Sequence, residues 1–272
     1  MGILIKILFI AAIVLFCAYV LSLQGRTGHP DLSGLKGWKY AHRGLHDEVL
    51  PENSMAAFRA ALEHGYGIEL DIHLMKDGQL AVIHDTSLKR TAGADVKITD
   101  LTAADLENYR LNGTEEKIPL FSQVLELYAG KAPLIIELKS DSNTPELVSA
   151  AVKAMESYEG PWCMESFDPR VVHELKKKHP QIIRGQLVMD YFKEEKSPLP
   201  AVLKWILTNQ AENFLNMPDF VAVRFSDRKS LGSFLARKFW GLQGVSWTLK
   251  TREDYDKAVA EGWLPIFEGF KP

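Results

Sequence analysis

Apolar and polar positions divide this chain into three parts. Ile7 to Leu21 is an unbroken apolar run, extended by Ile3-Leu4-Ile5 and Ser22-Leu23, with Lys6 the one interruption. A helix of that length crosses a hydrocarbon core of about 30 Å, so residues 1–23 are expected to form a transmembrane anchor with Lys6 reaching back to the interface. Residues 24–37 place Gly25, Gly28, Pro30, Gly34 and Gly37 among polar neighbours and read as a flexible linker. From 38 to 272, short β-rich apolar runs recur at 38–42, 68–74, 133–139, 161–166, 182–188, 219–225, 243–248 and 263–267. Helical patterns lie between most of them: Ser54–His64, Pro145–Tyr158, Pro169–His179 and Arg252–Glu261. Eight strand-helix repeats predict a TIM (β/α)8 barrel in preference to a doubly wound open sheet. The long segment 75–132, between the second and third strands, carries a further strand-like run at Leu80–His84 and is expected to be a small insertion.

Composition adds mainly exclusions. The 272 residues are 46% hydrophobic and 25% charged with a net charge of -3, which describes an ordinary globular chain without the clustered basic excess of a nucleic-acid binder. Cys17 lies in the apolar run and Cys163 in the globular part, so no disulfide forms within the domain. A cleavable signal peptide is the rival to an anchor, but Phe16-Cys17-Ala18-Tyr19 offers no small-x-small cleavage site, and bulky Phe16 disfavours a lipoprotein cysteine. The expectation is a single-pass cell-membrane protein with an extracytoplasmic catalytic domain. Flanking charge does not set that orientation, because Lys6 and the amino terminus face Arg26, Lys36 and Lys39 across the span.

Candidate chemistry lies at the ends of the strands. In Ile68-Glu69-Leu70-Asp71-Ile72-His73-Leu74 strict alternation puts Glu69, Asp71 and His73 on one face and the aliphatics on the other. Polar groups pointing into a barrel are tolerated at its open C-terminal mouth, where partners are available. Glu69 and Asp71 make half of a hard-cation site, and Glu137, in Ile136-Glu137-Leu138-Lys139 one strand later, completes three oxygen ligands. That donor set suits Mg²⁺ or Ca²⁺ rather than zinc. His42 and His84 each end a strand-like run, and histidine moves protons near neutral pH. A hard metal, Arg43, Lys139 and two imidazoles at one mouth are what phosphodiester cleavage requires: charge neutralisation on the phosphate, a base for the nucleophile and an acid for a poor alkoxide leaving group.

His42-Arg43-Gly44, Pro51-Glu52-Asn53-Ser54, Ala57-Phe58, Glu69-Leu70-Asp71, Lys76-Asp77-Gly78, His84-Asp85, Arg90-Thr91 and Glu137-Leu138-Lys139 together resemble the glycerophosphodiester phosphodiesterase family, and Ser166-Phe167-Asp168 and Trp247-Thr248 extend the likeness over residues 38 to about 250. The resemblance implies a barrel with a small insertion and hydrolysis of glycerophosphodiesters to glycerol 3-phosphate and an alcohol. It also implies metal ligation by Glu69, Asp71 and Glu137, acid-base roles for His42 and His84, and phosphate contacts from Arg43 and Lys139. Glu52 is expected to orient Arg43 or His42, Asn53 or Ser54 to cap the following helix, and Trp247 to wall the pocket. Two departures lie near the mouth: Leu249-Lys250 replaces the usual Val-Asn, and Phe267-Glu268-Gly269-Phe270 replaces Thr-Asp-x-Pro, which puts Glu268 beside the alcohol group of a substrate. His46 has no assigned role.

The segment 191–220 sets Tyr191, Phe192, Trp205 and Phe214 among Lys193, Lys196 and Lys204. Read as a helix, 201–215 places aromatics near the bilayer, as an enzyme acting on lysophospholipids would need. The alternatives are therefore a lysophospholipase D-like enzyme on membrane lysolipids and, from a different class, a non-catalytic phosphate or head-group binder on the same barrel.

Overall fold

A computed structural model describes residues 2–140, 143–195 and 197–272. Eight parallel strands close on themselves: β1 (Tyr40–His42), β2 (Gly67–Leu74), β4 (Leu134–Leu138), β5 (Trp162–Ser166), β6 (Arg184–Val188), β7 (Phe220–Arg224), β8 (Gln243–Leu249) and β9 (Trp263–Phe267). Each pairs with its neighbour, and β1 pairs with both β2 and β9, which closes the TIM barrel. All eight runs expected from the sequence are strands, because continuous apolar stretches can be buried on both faces only inside a helix-wrapped parallel sheet. The connecting helices are α2 (Met55–Glu63), α4 (Phe121–Tyr128), α5 (Thr144–Met155), α6 (Pro169–Lys178), α9 (Leu231–Trp240) and α10 (Arg252–Ala260). Ser54 caps α2 by accepting from Ala57 N at 3.1 Å, and Asp168 caps α6, with Pro169 in its first turn.

Two apolar layers hold the barrel. One, between sheet and helices, includes Phe58, Ile68, Leu70, Leu134, Ile136, Val171 and Val221. The other fills the barrel interior with Tyr40, Ile135, Cys163, Leu187, Phe220, Val245 and Ile266. Burying each large apolar side chain contributes roughly 1.5–3 kcal/mol. Gly185 is required by this packing, since a Cβ there would lie 2.1 Å from the Phe220 ring.

Between β2 and β4 the chain makes β3 (Leu80–Val82), antiparallel to β2 and outside the closed barrel, and α3 (Lys89–Ala92). Met75, Ile83, Leu88, Ile98, Leu106 and Ile118 form a small core of its own there. The reading of 201–215 as one helix is corrected. The chain forms α7 (Ala201–Thr208), turns at Gln210 with φ +58°, and resumes as the short α8 (Asn213–Asn216). Lys196, counted among the cations of this segment, lies outside the described residues.

α1 (Gly2–Ser22) projects from the barrel and is long and apolar enough to cross a membrane. Its last turn is docked: Tyr19 Oη donates to Asn209 O at 3.1 Å and Trp240 Nε1 donates to Val20 O at 2.7 Å. The expectation of a flexible link at 24–37 also changes. Leu23 and Leu35 are buried, Arg26 pairs with Asp219 at 3.2 Å, and the Tyr40 hydroxyl donates to Leu35 O at 2.6 Å. The glycines bend this segment around the barrel.

Candidate active site

The barrel register determines which side chains meet. His42 ends β1 opposite Glu69 on β2; Asp71 lies opposite Glu137 on β4, which lies opposite Glu165 on β5. Partners side by side in a sheet share a face, so the carboxylates line up across three adjacent strands. One oxygen from each of Glu69, Asp71 and Glu137 lies within 4.8 Å of the others, and all three residues are buried. Lys139 Nζ sits 2.9 Å from Asp71 Oδ1 and 2.7 Å from Glu137 Oε1. Arg43 Nη1 donates to Glu52 Oε1 at 2.8 Å, while its Nε lies 3.3 Å from Asp71 Oδ2. Glu52 is in turn gripped by Arg90 at 2.7 and 2.8 Å. It therefore orients Arg43 rather than His42.

Four buried carboxylates (Glu69, Asp71, Glu137 and Glu165) face the cations Arg43 and Lys139, leaving excess negative charge out of water. Burial, then mutual repulsion, pushes Glu69 and Glu165 well above the usual carboxylate range. Burial likewise raises Glu137 to about 7, whereas Lys139 and Arg43 outweigh burial at Asp71 and hold it well below its ordinary value. A hard divalent cation would supply the missing positive charge, and a converging all-oxygen donor set fits Mg²⁺ or Ca²⁺.

Each histidine is steered by a carboxylate. His42 Nδ1 lies 2.6 Å from Glu268 Oε2, and His84 Nδ1 lies 2.5 Å from Asp85 Oδ1. An acceptor at that distance requires the proton on Nδ1, which leaves Nε2 as the free basic nitrogen of each neutral ring. Burial lowers the His42 pKa and drives His84 down to about 4. The hydrogen bond from His42 holds Glu268 ionised, at about 2. His42, Arg43, Glu69, His84 and Glu137 line one cavity at the mouth, walled by Phe167 and Trp247, whose rings meet edge to face at 5.5 Å. His46 stands with His42 and Glu268; its Nε2 is buried and has no hydrogen-bond partner among the described residues.

The backbone holds the β1 end under strain. Arg43 (φ +53°), Gly44 (φ +83°) and Asn53 (φ +54°) are left-handed, and Asn53 N donates to Arg43 O at 2.9 Å, pinning the loop back on itself. Gly44 also needs its missing side chain, because a Cβ would stand 2.9 Å from Ala57 Cβ and 3.0 Å from the Phe58 ring.

Every candidate from the sequence lines this mouth except His73, which is buried near the end of β2 with its Nε2 3.1 Å from His84 O. Sequence reasoning missed two residues. Asn53, expected only as a possible cap, donates through Nδ2 to Asp71 Oδ2 at 2.8 Å. Glu165, a buried acid inside the apolar run of β5, offered its charge there as the one legible signal; its place beside Glu137 comes from the β4–β5 pairing.

Comparison with known proteins matches residues 42–266 to the glycerophosphoryl diester phosphodiesterase family. A glycerophosphodiester phosphodiesterase of Caldanaerobacter subterraneus subsp. tengcongensis is 35% identical over 158 residues, 54% of this chain and 65% of that protein. Lysophospholipase D GDPD1 of Rattus norvegicus is 37% identical over 116 residues, 38% of this chain and 36% of its own length. The chain thus spans less than two thirds of these curated relatives. Among solved structures, an Oleispira antarctica phosphodiesterase in complex with the product sn-glycerol-3-phosphate superposes with a TM-score of 0.69 at 22% identity, over 85% of this chain and 92% of that one. The glycerophosphodiester phosphodiesterase of Thermotoga maritima gives 0.65 at 25% identity, over 85% and 93%. Since the family match runs from the first mouth histidine into the last barrel strand, well over half of its length, the chain belongs to the glycerophosphoryl diester phosphodiesterase family.

Proposed function

We propose that this protein is a divalent-metal-dependent phosphodiesterase that hydrolyses glycerophosphodiesters to glycerol 3-phosphate and an alcohol. The observation that carries this reading is the pairing of two carboxylate-steered imidazoles with the buried Glu69, Asp71 and Glu137 cluster in one cavity. Mg²⁺ or Ca²⁺ held by those three carboxylates would neutralise phosphate charge and polarise the P–O bonds. Arg43 and Lys139 contact the phosphate oxygens, and Glu52 keeps the Arg43 guanidinium aimed. One imidazole, neutral with a free Nε2, accepts the nucleophile's proton as the new P–O bond forms. The other, entering the step with an Nε2 proton taken from solvent, gives that proton to the departing alkoxide as the old P–O bond breaks, and the first ring's proton passes to solvent afterwards.

A second reading, in which the leaving alcohol belongs to a lysophospholipid, is supported by α1, which we take to anchor the barrel to a cell membrane with its catalytic face outside the cytoplasm. The test uses full-length protein in detergent with Mg²⁺ or Ca²⁺, assayed for glycerol 3-phosphate from glycerophosphocholine and for lysophosphatidic acid from lysophosphatidylcholine. His84→Ala should abolish turnover while binding of the metal persists. No cleavage of either compound by the wild type overturns the reading.

A further inference from the structure

We infer that the rim of the barrel mouth beside α1 is a bilayer-docking surface, through which substrates carried in the lipid layer reach the active site. Two independent features support it: where α1 leaves the barrel, and what surrounds that point.

Contacts along the end of α1 give its direction. Tyr19 meets the Trp205 ring at a centroid distance of 6.5 Å and bonds to Asn209 O, and its hydroxyl lies 3.0 Å from where a Cβ of Gly232 would stand. Gly232 belongs to the first turn of α9, which follows the C-terminal end of β7 and so lies on the mouth side. A few residues later, Gly25 packs on Leu242 and Arg26 pairs with Asp219, next to the N-terminal ends of β8 and β7 at the opposite end of the barrel. Over residues 19–26 the chain therefore runs from the first turn of α9 past its last residue, Trp240, to the base, so the exposed residues 2–18 of α1 lead away in the direction of the mouth.

Length then sets the depth. The 21 residues of α1 rise about 31 Å at 1.5 Å each, barely the hydrocarbon thickness of about 30 Å. With its last turn docked on the barrel, α1 has no slack, and spanning the bilayer draws the mouth rim into the interface.

That rim is apolar where it meets α1. Phe192 follows β6; Val202, Leu203 and Trp205 lie on α7; Leu231 and Phe234 occupy the first turn of α9; all six are exposed, Val202 to 70%. α7 has no buried residue, so it does not serve as a core-packing barrel helix. Its end is tied to α9 by Gln210 Nε2, which donates to Ser233 Oγ at 2.8 Å. Lys204 and Lys229 stand beside these residues in sequence, suited to lipid phosphates. Exposed apolar side chains in this number call for a cover, and the contact of Trp205 with Tyr19 of the emerging helix makes that cover lipid.

The experiment places a single environment-sensitive fluorophore on full-length protein at Val202→Cys or Phe234→Cys, with Glu126→Cys on α4 as the remote control, in a Cys17→Ser background. The protein is reconstituted into phosphatidylcholine vesicles containing a minor fraction of phosphatidylglycerol. Probes at 202 and 234 should shift to the blue and be quenched by nitroxides on the acyl chains, while the probe at 126 responds only to aqueous iodide. Equal iodide access at all three positions overturns the proposal. So does a blue shift at 202 and 234 without acyl-chain quenching but with cross-linking between copies, which would make the face a self-association surface.

The activity arm rests on the phosphodiesterase reading, whereas the labelling does not. Val202→Asp with Phe234→Asp should weaken turnover of vesicle-borne lysophosphatidylcholine at least about tenfold and leave soluble glycerophosphocholine unchanged. Equal loss on both substrates overturns delivery through this rim. Absence of any turnover by the wild type would sink the functional reading alone, with the docking surface still decided by quenching.

Discussion

Glu268 stands where the family pattern departs, and its removal is the sharpest probe of how the site is built. Its carboxylate accepts from His42 Nδ1 at 2.6 Å and is only about a quarter exposed; Lys250 Nζ lies 3.4 Å from its other oxygen. On the proposed mechanism Glu268 would hold the tautomer that presents His42 Nε2 to the cavity and stabilise the ring whenever that nitrogen carries a proton. A hydrogen bond to a charged group is worth about 1.5–3 kcal/mol net, and 1.36 kcal/mol is tenfold in rate. Glu268→Ala is therefore expected to lower kcat on glycerophosphocholine by roughly 10- to 150-fold with KM little changed. Glu268→Gln, which keeps an acceptor oxygen but no charge, should fall between this variant and the wild type. Lys250→Ala, removing an exposed partner, should stay within about twofold. The assay is continuous release of glycerol 3-phosphate, with circular dichroism to confirm folding. A folded Glu268→Ala protein within about twofold of wild-type kcat would refute the argument that His42 depends on this carboxylate.

Chelation should abolish activity and Mg²⁺ or Ca²⁺ restore it, and Glu137→Gln should raise the metal needed for half-maximal rate at least about tenfold; full activity in chelator would count against the carboxylate site. Gly44→Ala should cost about 1–3 kcal/mol, seen as a lower Tm, and reduce turnover, because φ +83° and the contact with Ala57 leave no room for a methyl group. Glu212 is buried, has no hydrogen-bond partner from another residue among those described, and is raised to about 8 by burial. The folded state therefore holds its proton more tightly than the unfolded chain: this stability is full below the unfolded carboxylate value and fades as pH rises toward 8. Glu212→Gln should accordingly raise Tm at pH 8 and leave it nearly unchanged at pH 4, and an equal gain at both values would contradict the linkage.

Strand positions were legible because a helix-wrapped parallel barrel buries both faces of its strands, so a strand such as 263–267 leaves an apolar run. The Glu69 and Asp71 pair, Glu137 and both histidines were also readable, since polar residues at strand ends are too costly to keep without partners. α1 announced itself by length and composition alone. What the linear pattern did not carry was lateral register and long-range docking. Glu165 became a neighbour of Glu137 only through the β4–β5 pairing, and Asn53 reached Asp71 only because the left-handed turn at Arg43 and Gly44 folds its loop over β2. The supposed linker looked flexible because glycine and polar composition does not reveal that Arg26 finds Asp219, nearly two hundred residues away. The break of 201–215 at Gln210 has the same cause: the turn is held by contacts with α9 and α1, and local helix propensity is weaker than those contacts. Sequence determined which residues belong at the mouth and that a helix can enter a membrane. Tertiary structure alone decided which carboxylates face one another, which acid steers each imidazole, and that the last turn of α1 docks on the barrel wall.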